Sequence, residues 1–187
     1  MNTQPDTWKR NKSVEIADCR VFKVRKDFCR RDADGAETTF FVIENPDWVN
    51  IIALTKDKKV VLIEQFRHGA EEIILEIPGG MVDAGESHII TAARELAEET
   101  GFAPREMILI GKSRPNPAIQ NNWIYHYLAL DCEQTSNTKF DEHESIATKI
   151  VPADEIENMI TDGTITHSLV IAAFHFLEIY LKRSQEK

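Results

Sequence analysis

Three glutamates in one short stretch are the residues of this sequence best suited to chemistry. Glu95, Glu98 and Glu99 lie in a segment whose apolar residues recur at helical spacing. Residues three and four positions apart share one face of a helix, so the three carboxylates would crowd together. Like charges at that spacing repel each other, and divalent cations between them would relieve the repulsion. Carboxylate oxygens suit Mg²⁺ or Mn²⁺ better than zinc.

The sequence around the glutamates decides between two interpretations. A run of glutamates on a helix is more often a solvated face than a metal site. Here Gly79 and Gly80 precede a loop that contains Gly85, and such glycines allow the backbone to approach the helix closely. Glu86 and Arg94 add further charges beside the cluster. A cation site bounded by backbone carbonyls and helical carboxylates is therefore favoured.

The segment Gly80 to Phe102, GMVDAGESHIITAARELAEETGF, resembles the Nudix box. That motif has a glycine, five residues, a glutamate, seven residues, and then Arg-Glu-apolar-x-Glu-Glu-x-Gly-apolar. Its fixed positions are all matched, by Gly80, Glu86, Arg94, Glu95, Leu96, Glu98, Glu99, Gly101 and Phe102. Two earlier segments, Glu64 to Arg67 and Leu75 to Gly80, are similar to those that precede the box in ADP-ribose pyrophosphatases. The resemblance extends over roughly Val49 to Leu181.

The resemblance implies a metal site, position by position. Glu95 and Glu99, with the backbone carbonyl of Gly79, would bind Mg²⁺ or Mn²⁺, and the number of ions stays open. Three further box positions would have structural roles, and they are Gly80, Glu86 and Arg94. For Arg94, an ion pair that holds carboxylates in place is the favoured role.

Two glutamates compete for the role of general base. The acidic stretch Asp141 to Glu144 would, on composition alone, be a solvated loop. In ADP-ribose pyrophosphatases the corresponding loop supplies both the base and a further metal ligand, which points to Glu142 as base and Glu144 as ligand. Glu98 in the box is the competitor, because family members differ in which carboxylate takes the proton from water. Glu142 is preferred because a base must not be occupied by metal.

Three residues are candidate substrate contacts. Arg67 follows a predicted strand and could bind phosphate through its planar guanidinium, although a surface ion pair has equal weight. Glu76 lies in one of the segments similar to ADP-ribose pyrophosphatases. Pro117 falls near the place where a proline marks the ADP-ribose group, but the surrounding RPNPAIQNNW is unlike the usual glycine-serine loop. That departure favours a wider range of nucleoside diphosphate sugars.

Hydrophobic patterning predicts an α/β (α+β) sandwich in which helices cover a mixed sheet, and the resemblance specifies the Nudix α/β/α sandwich. Residues 1–46 would form a small N-terminal β unit, a possible dimerisation element, and residues 47–187 the hydrolase domain. Period-two patterns predict strands within 13–43 and at 49–54, 60–65, 73–77, 107–113, 123–130 and 149–151. The box helix would run from a cap at Ser87 to Gly101, with further helices at 153–161 and 168–181.

Composition limits the possible classes of protein. The net charge of -9 argues against nucleic-acid binding, which relies on basic residues. No stretch approaches the roughly 20 apolar residues of a membrane span, so a cytoplasmic protein without a membrane partner is expected. The three cysteines show no metal-binding or disulfide spacing.

The predicted reaction is Mg²⁺-dependent hydrolysis of the diphosphate bond of nucleoside diphosphate sugars such as ADP-ribose or GDP-mannose. Its products would be a nucleoside monophosphate and a sugar phosphate. The alternatives are another Nudix substrate, namely a dinucleoside polyphosphate, a dinucleotide cofactor or a damaged nucleoside triphosphate, or a sensor that binds nucleotide sugars without cutting them. A homodimer is also expected, because the N-terminal strands have too few apolar partners to form a core alone.

Overall fold

A computed structural model describes residues 4–140 and 145–185 of the chain. The chain divides into two compact units. The first consists of the chain up to Pro46 together with residues 114–122, and the second of residues 47–113 with the chain from Trp123 onward. None of the helices in the described part of the chain is long and apolar enough to span a membrane.

The first unit is built on a three-stranded antiparallel sheet. Its strands are β1 (Trp8–Asp18), β2 (Lys23–Arg31) and β3 (Glu37–Glu44), in that spatial order. β1 is exposed along its whole length, so it has no buried face to produce an apolar alternation. For that reason the sequence predicted a strand only from Ser13, five residues after the observed start.

The second unit contains an eight-stranded mixed sheet. Its strands are β4 (Trp48–Thr55), β5 (Lys59–Arg67), β6 (Glu72–Glu76), β7 (Gly79–Met81), β8 (Phe102–Ala103), β9 (Glu106–Ser113), β10 (Ile124–Gln134) and β11 (Ile146–Pro152). β4 and β10 run parallel at its centre, and the remaining pairs are antiparallel. The helices are α1 (His88–Thr100), α2 (Ile156–Thr161), preceded by a 3₁₀ turn, and α3 (Ser168–Gln185).

Helices cover both faces of this sheet. On one face Leu96 of α1 packs in a buried cluster with Val49 and Ile51. On the other face Val170 of α3 packs with Ile52 and with residues of β5 and β10. Successive residues of β4 therefore point to opposite helices, as the alternation of a strand requires. This arrangement confirms the predicted α/β sandwich with a mixed sheet.

The strand β7 departs from the sequence prediction, which placed no strand between residues 77 and 107. Gly79 and Gly80 pair with Asn50 and Val49 of β4 in antiparallel register. Glycine is disfavoured in strands, so the pattern gave no strand signal there. The consequence is that the backbone preceding the box helix belongs to the central sheet and is held in place by it.

Candidate metal and active site

The box helix α1 has the limits that the sequence predicted. Ser87 occupies the N-cap position with extended backbone angles, although its side chain makes no capping hydrogen bond. Its carbonyl accepts hydrogen bonds from the N–H groups of Ile90 and Thr91 instead. Gly101 ends the helix in the left-handed conformation with φ of 75°, which glycine adopts without steric cost. Burial of Leu96 against the sheet then fixes which way the glutamates point.

Glu99 lies against the strand β7. Its side chain is buried, and Oε2 accepts a hydrogen bond of 2.9 Å from the backbone N–H of Gly79. A buried carboxylate requires such partners, because an unpaired charge is costly away from water. Glu99 therefore connects the end of the box helix with the first residue of β7.

Glu95 lies beside the second residue of β7. A Cβ atom built on Gly80 would come within 2.3 Å of Glu95 Oε1, closer than real atoms approach. Gly80 thus provides the space in which the carboxylate of Glu95 lies. Two glutamates one helical turn apart therefore lie beside two consecutive glycines of the sheet. The helical period places both glutamates on one face, and the glycines allow the strand to approach that face closely.

Arg94 holds the charged groups around the helix together. Its Nη2 lies 3.1 Å from Glu86 Oε2, and its Nη1 lies 3.0 Å from Glu95 Oε1 and 2.9 Å from Glu98 Oε2. The pKa of Arg94 is raised above its ordinary value, chiefly by its hydrogen bond to Glu86. In turn the pKa of Glu86 is lowered, first by Arg94 and then by the hydroxyl of Thr91. The ion pair with Arg94 therefore stabilises the charged form of Glu86.

Thr91 is a residue that the sequence analysis missed. It is fully buried, and its hydroxyl donates a 2.7 Å hydrogen bond to Glu86 Oε2. The available signal was weak, because threonine inside a helix is unremarkable in sequence. Its position fixes Glu86 at the start of the helix, where that carboxylate meets Arg94.

The donor atoms around β7 fit a hard divalent cation. Glu95 and Glu99 offer carboxylate oxygens at two neighbouring backbone positions, which are the ligands that Mg²⁺ and Mn²⁺ prefer. Within residues 4–140 and 145–185, no three His, Cys, Asp or Glu side chains already form a metal-binding group. The further ligands expected from the sequence are the backbone carbonyl of Gly79 and Glu144. Glu142 and Glu144 both lie outside the described residues.

Arg67 and Glu76, two of the candidate substrate contacts, meet each other. Arg67 Nε lies 2.6 Å from Glu76 Oε1, and Nη2 lies 2.9 Å from Oε2, a two-pronged pair. Glu76 is buried, whereas the side chain of Arg67 is 42% exposed. The buried carboxylate therefore fixes the orientation of the guanidinium of a partly exposed side chain.

The third candidate contact, Pro117, lies in the loop 114–122 of the first unit. This loop is hydrogen-bonded to the end of β3 and to the residue that follows it. Its Ile119 carbonyl accepts a 2.7 Å hydrogen bond from the N–H of Ile43, and the side chain of Asn121 accepts one of 3.0 Å from the N–H of Asn45. Pro117 itself is exposed.

Comparison with known proteins identifies the class. The family model of the NUDIX domain matches residues 45–174. A methanol dehydrogenase activator of Bacillus methanolicus is 30% identical over 90% of this chain and 91% of its own. An ADP-ribose pyrophosphatase of Bacillus subtilis is 25% identical over 74% of this chain and 75% of its own.

A similar fold is found among solved structures. The crystal structure of an ADP compounds hydrolase superposes with a TM-score of 0.83 at 23% identity, and the match covers 97% of this chain and 96% of that one. The chain belongs to the Nudix family, and its enzyme class is that of the Nudix pyrophosphohydrolases. The expected family and fold are thereby confirmed.

Proposed function

We propose that the protein catalyses Mg²⁺-dependent hydrolysis of the diphosphate bond in nucleoside diphosphate sugars. The products would be a nucleoside monophosphate and a sugar phosphate. The proposal is supported by the names of relatives, which include ADP-ribose pyrophosphatases, and by the family's general use of divalent metals. The unusual loop RPNPAIQNNW favours several sugars over strict preference for ADP-ribose.

One structural observation carries the proposal. Glu95 and Glu99 meet the two consecutive glycines of β7, and the Glu99 carboxylate is buried there. A sensor that only bound nucleotide sugars would have no need for this costly arrangement of charge. We assign Glu95, Glu99, Glu144 and the carbonyl of Gly79 as the ligands of the cation. When bound, the cation would neutralise charge on the diphosphate and make water more acidic.

The residues of the chain itself would perform three tasks. Arg67, whose side chain is 42% exposed and oriented by the buried Glu76, would contact a phosphate oxygen. Arg94 would keep Glu86 and Glu95 in place through its ion pairs. Pro117 stays a candidate substrate contact through its resemblance to the proline of ADP-ribose pyrophosphatases.

The attacking water must give up a proton, and we assign that proton to Glu142. The competing residue is Glu98, whose side chain is 38% exposed and whose Oε2 lies 2.9 Å from Arg94 Nη1. The Glu98 carboxylate is thus already engaged with Arg94, whereas a base must be able to reach the attacking water. This contact favours Glu142 as base and leaves to Glu98 a role in holding the helix cluster.

A panel of substrates tests the proposed function. Purified protein with Mg²⁺ is incubated with ADP-ribose, GDP-mannose and UDP-glucose, and with a dinucleoside polyphosphate, a dinucleotide cofactor and an oxidised nucleoside triphosphate. The expected result is release of nucleoside monophosphate and sugar phosphate from at least one nucleotide sugar, at a higher kcat/KM than from the other three classes. Tight binding of a nucleotide sugar without products would instead identify a sensor.

A second candidate function follows from one relative. The Bacillus methanolicus protein is described as an activator of a dehydrogenase, and its match covers nearly the whole of both chains. Stimulation of a partner dehydrogenase is therefore a candidate activity of this chain as well. The two candidates separate experimentally, because nucleotide hydrolysis needs no second protein. An increase in methanol dehydrogenase activity that survives Glu99→Gln would favour activation without hydrolysis.

We also propose that the protein is a homodimer in which β1, β2 and β3 contribute to the interface. This sheet leaves large apolar side chains exposed, including Ile16 at 52% and Phe41 at 53%. Exposed apolar side chains gathered on one small sheet mark an interaction surface more often than ordinary surface.

A further inference from the structure

Asn50 is a polar residue within an apolar central strand. Its neighbours Val49 and Ile51 are fully buried, and β4 otherwise reads as a run of aliphatic residues toward Leu54. An amide in such surroundings stabilises the fold less than an aliphatic side chain would, unless its hydrogen-bonding groups are used. The presence of an asparagine here therefore calls for a specific contact.

The Asn50 amide makes two specific contacts. Its Nδ2 donates a 3.4 Å hydrogen bond to the carbonyl of Leu169, in the first turn of α3. Its Oδ1 lies against Gly79, since a Cβ atom built on that glycine would come within 2.9 Å of it. Asn50 and Gly79 are also register partners in the pairing of β4 with β7. The amide thus connects the start of α3 to the first residue of β7.

Gly79 is consequently held from two directions. Its N–H is bound by the Glu99 carboxylate at 2.9 Å, and its Cα faces the Asn50 amide and the carbonyl of Val49. A backbone carbonyl that serves as a ligand has no side chain of its own to orient it. Its direction is set by the neighbours of the peptide groups on either side, as with other ligands whose partners fix their geometry.

We propose that Asn50 is a positioning residue that sets the orientation of the Gly79 backbone for cation binding. The inference rests on the metal site of the proposed function, but not on the identity of the substrate. Asn50 acts through Gly79. Because its amide is hydrogen-bonded to Leu169 of α3, the position of α3 helps to set the position of Gly79 in β7. Loss of the amide would leave Glu99 as the remaining side chain that orients this part of the strand.

The neighbouring strand provides a matched control. His126 of β10 is the register partner of Asn50, is fully buried on the same face of the sheet, and stacks on Phe176 of α3. Its Nε2 lies 2.9 Å from the Ser113 hydroxyl. β4 separates His126 from β7, so this polar side chain lies on the same face as the partly buried Asn50 but does not share its contact with Gly79.

The experiment compares Asn50→Ala, Asn50→Leu and His126→Phe with the wild type. Calorimetric titration with Mn²⁺, without substrate, gives the affinity for the metal, and thermal unfolding gives the stability. Asn50→Leu keeps the branched shape and the number of side-chain heavy atoms and matches its aliphatic neighbours, so it is expected to fold. Both Asn50 variants should bind Mn²⁺ about tenfold more weakly. His126→Phe should keep the wild-type affinity whatever its unfolding temperature.

A second readout needs no metal. Hydrogen exchange of the Gly79 amide, followed by NMR in the metal-free protein, should become faster in both Asn50 variants and stay unchanged in His126→Phe. Wild-type Mn²⁺ affinity and wild-type exchange in a folded Asn50→Leu would overturn the inference alone, as would failure of both Asn50 variants to fold. A wild-type protein that binds no Mn²⁺ would overturn the metal site of the proposed function as well.

Discussion

The backbone N–H of Gly79 donates a hydrogen bond to Glu99 across 2.9 Å, and the two residues are twenty positions apart in the chain. The bond joins the end of the box helix to the central sheet. Glu99 therefore accepts a structural hydrogen bond and also supplies a negative charge. Substitution by glutamine separates the two, since an amide can still accept the hydrogen bond but carries no charge.

We expect Glu99→Gln to lower kcat by about two orders of magnitude or more while the protein remains folded. The variant keeps an acceptor for Gly79 and loses the negative charge that the cation needs. Glu99→Ala should lose the same activity and in addition about 1–3 kcal/mol of stability, because the Gly79 N–H would lose its partner. Steady-state kinetics and chemical unfolding measure both effects. Near wild-type turnover of Glu99→Gln would contradict the assignment of Glu99 as a ligand.

The two glycines of β7 should respond differently to alanine. At Gly80 the atoms nearest to the added Cβ are the flexible end of Glu95, so Gly80→Ala should change stability by less than about 1 kcal/mol but displace a proposed ligand. At Gly79 the Cβ would come within 2.3 Å of the Val49 carbonyl oxygen, which should cost about 1–3 kcal/mol. Thermal unfolding and Mn²⁺ titration of both variants check this. A Gly80→Ala protein that binds Mn²⁺ normally would refute the position of Glu95.

Metal removal should abolish hydrolysis. Crowded carboxylates repel a diphosphate unless a cation lies between them, so excess chelator should stop turnover and Mg²⁺ or Mn²⁺ should restore it. Activity is measured before chelation, after it, and after each ion is returned. Full turnover in excess chelator would rule out the metal mechanism.

The identity of the base is tested by comparing Glu142→Gln with Glu98→Gln. Loss of the base should reduce kcat about a hundredfold or more with little change in Mn²⁺ affinity, which is the result expected for Glu142. Loss of Glu98 should act mainly through Arg94, whose Nη1 lies 2.9 Å from Glu98 Oε2, and so reduce stability or metal affinity. If Glu98→Gln loses rate without losing metal while Glu142→Gln stays active, the two roles must be exchanged.

The oligomeric state can be measured directly. Light scattering at micromolar concentration should give twice the chain mass of 21.3 kDa. Phe41→Glu places a charge among the exposed apolar residues of the first sheet and should shift the protein toward monomer, whereas a substitution at the exposed Lys58 in the turn between β4 and β5 should not. A wild-type monomer under these conditions would exclude the dimer.

Sequence patterns were sufficient for the elements that have one buried face. The limits of α1 followed from Ser87 and Gly101, and β5 extends only one or two residues beyond its predicted range. Patterns failed where burial is absent or where side chains are missing, as in β1 and in the glycine strand β7. The sequence predicted only part of the edge strand β11, because most of its residues are exposed and give no apolar alternation.

The sequence indicated which residues could form the candidate site, but not which contacts they make. The spacing of the box glutamates indicated a shared helix face, yet the burial of Glu99 depends on a strand twenty positions earlier in the chain. The pairing of Arg67 with Glu76 depends on the antiparallel register of β5 and β6, which no local pattern specifies. Asn50 carried a signal of its own, an amide among aliphatic residues, whose meaning required the neighbouring strand.

The loop 114–122 belongs to the first unit although β9 and β10 on either side of it belong to the second. The chain therefore passes between the two units three times. Neither unit is a continuous segment, so neither could be moved whole into a fusion protein as one piece of sequence. A protein shortened to begin at Asp47 would keep Pro117 but lose the hydrogen bonds that Ile43 and Asn45 make to this loop. Chimeras between relatives would consequently need to exchange the N-terminal strands and the loop 114–122 together.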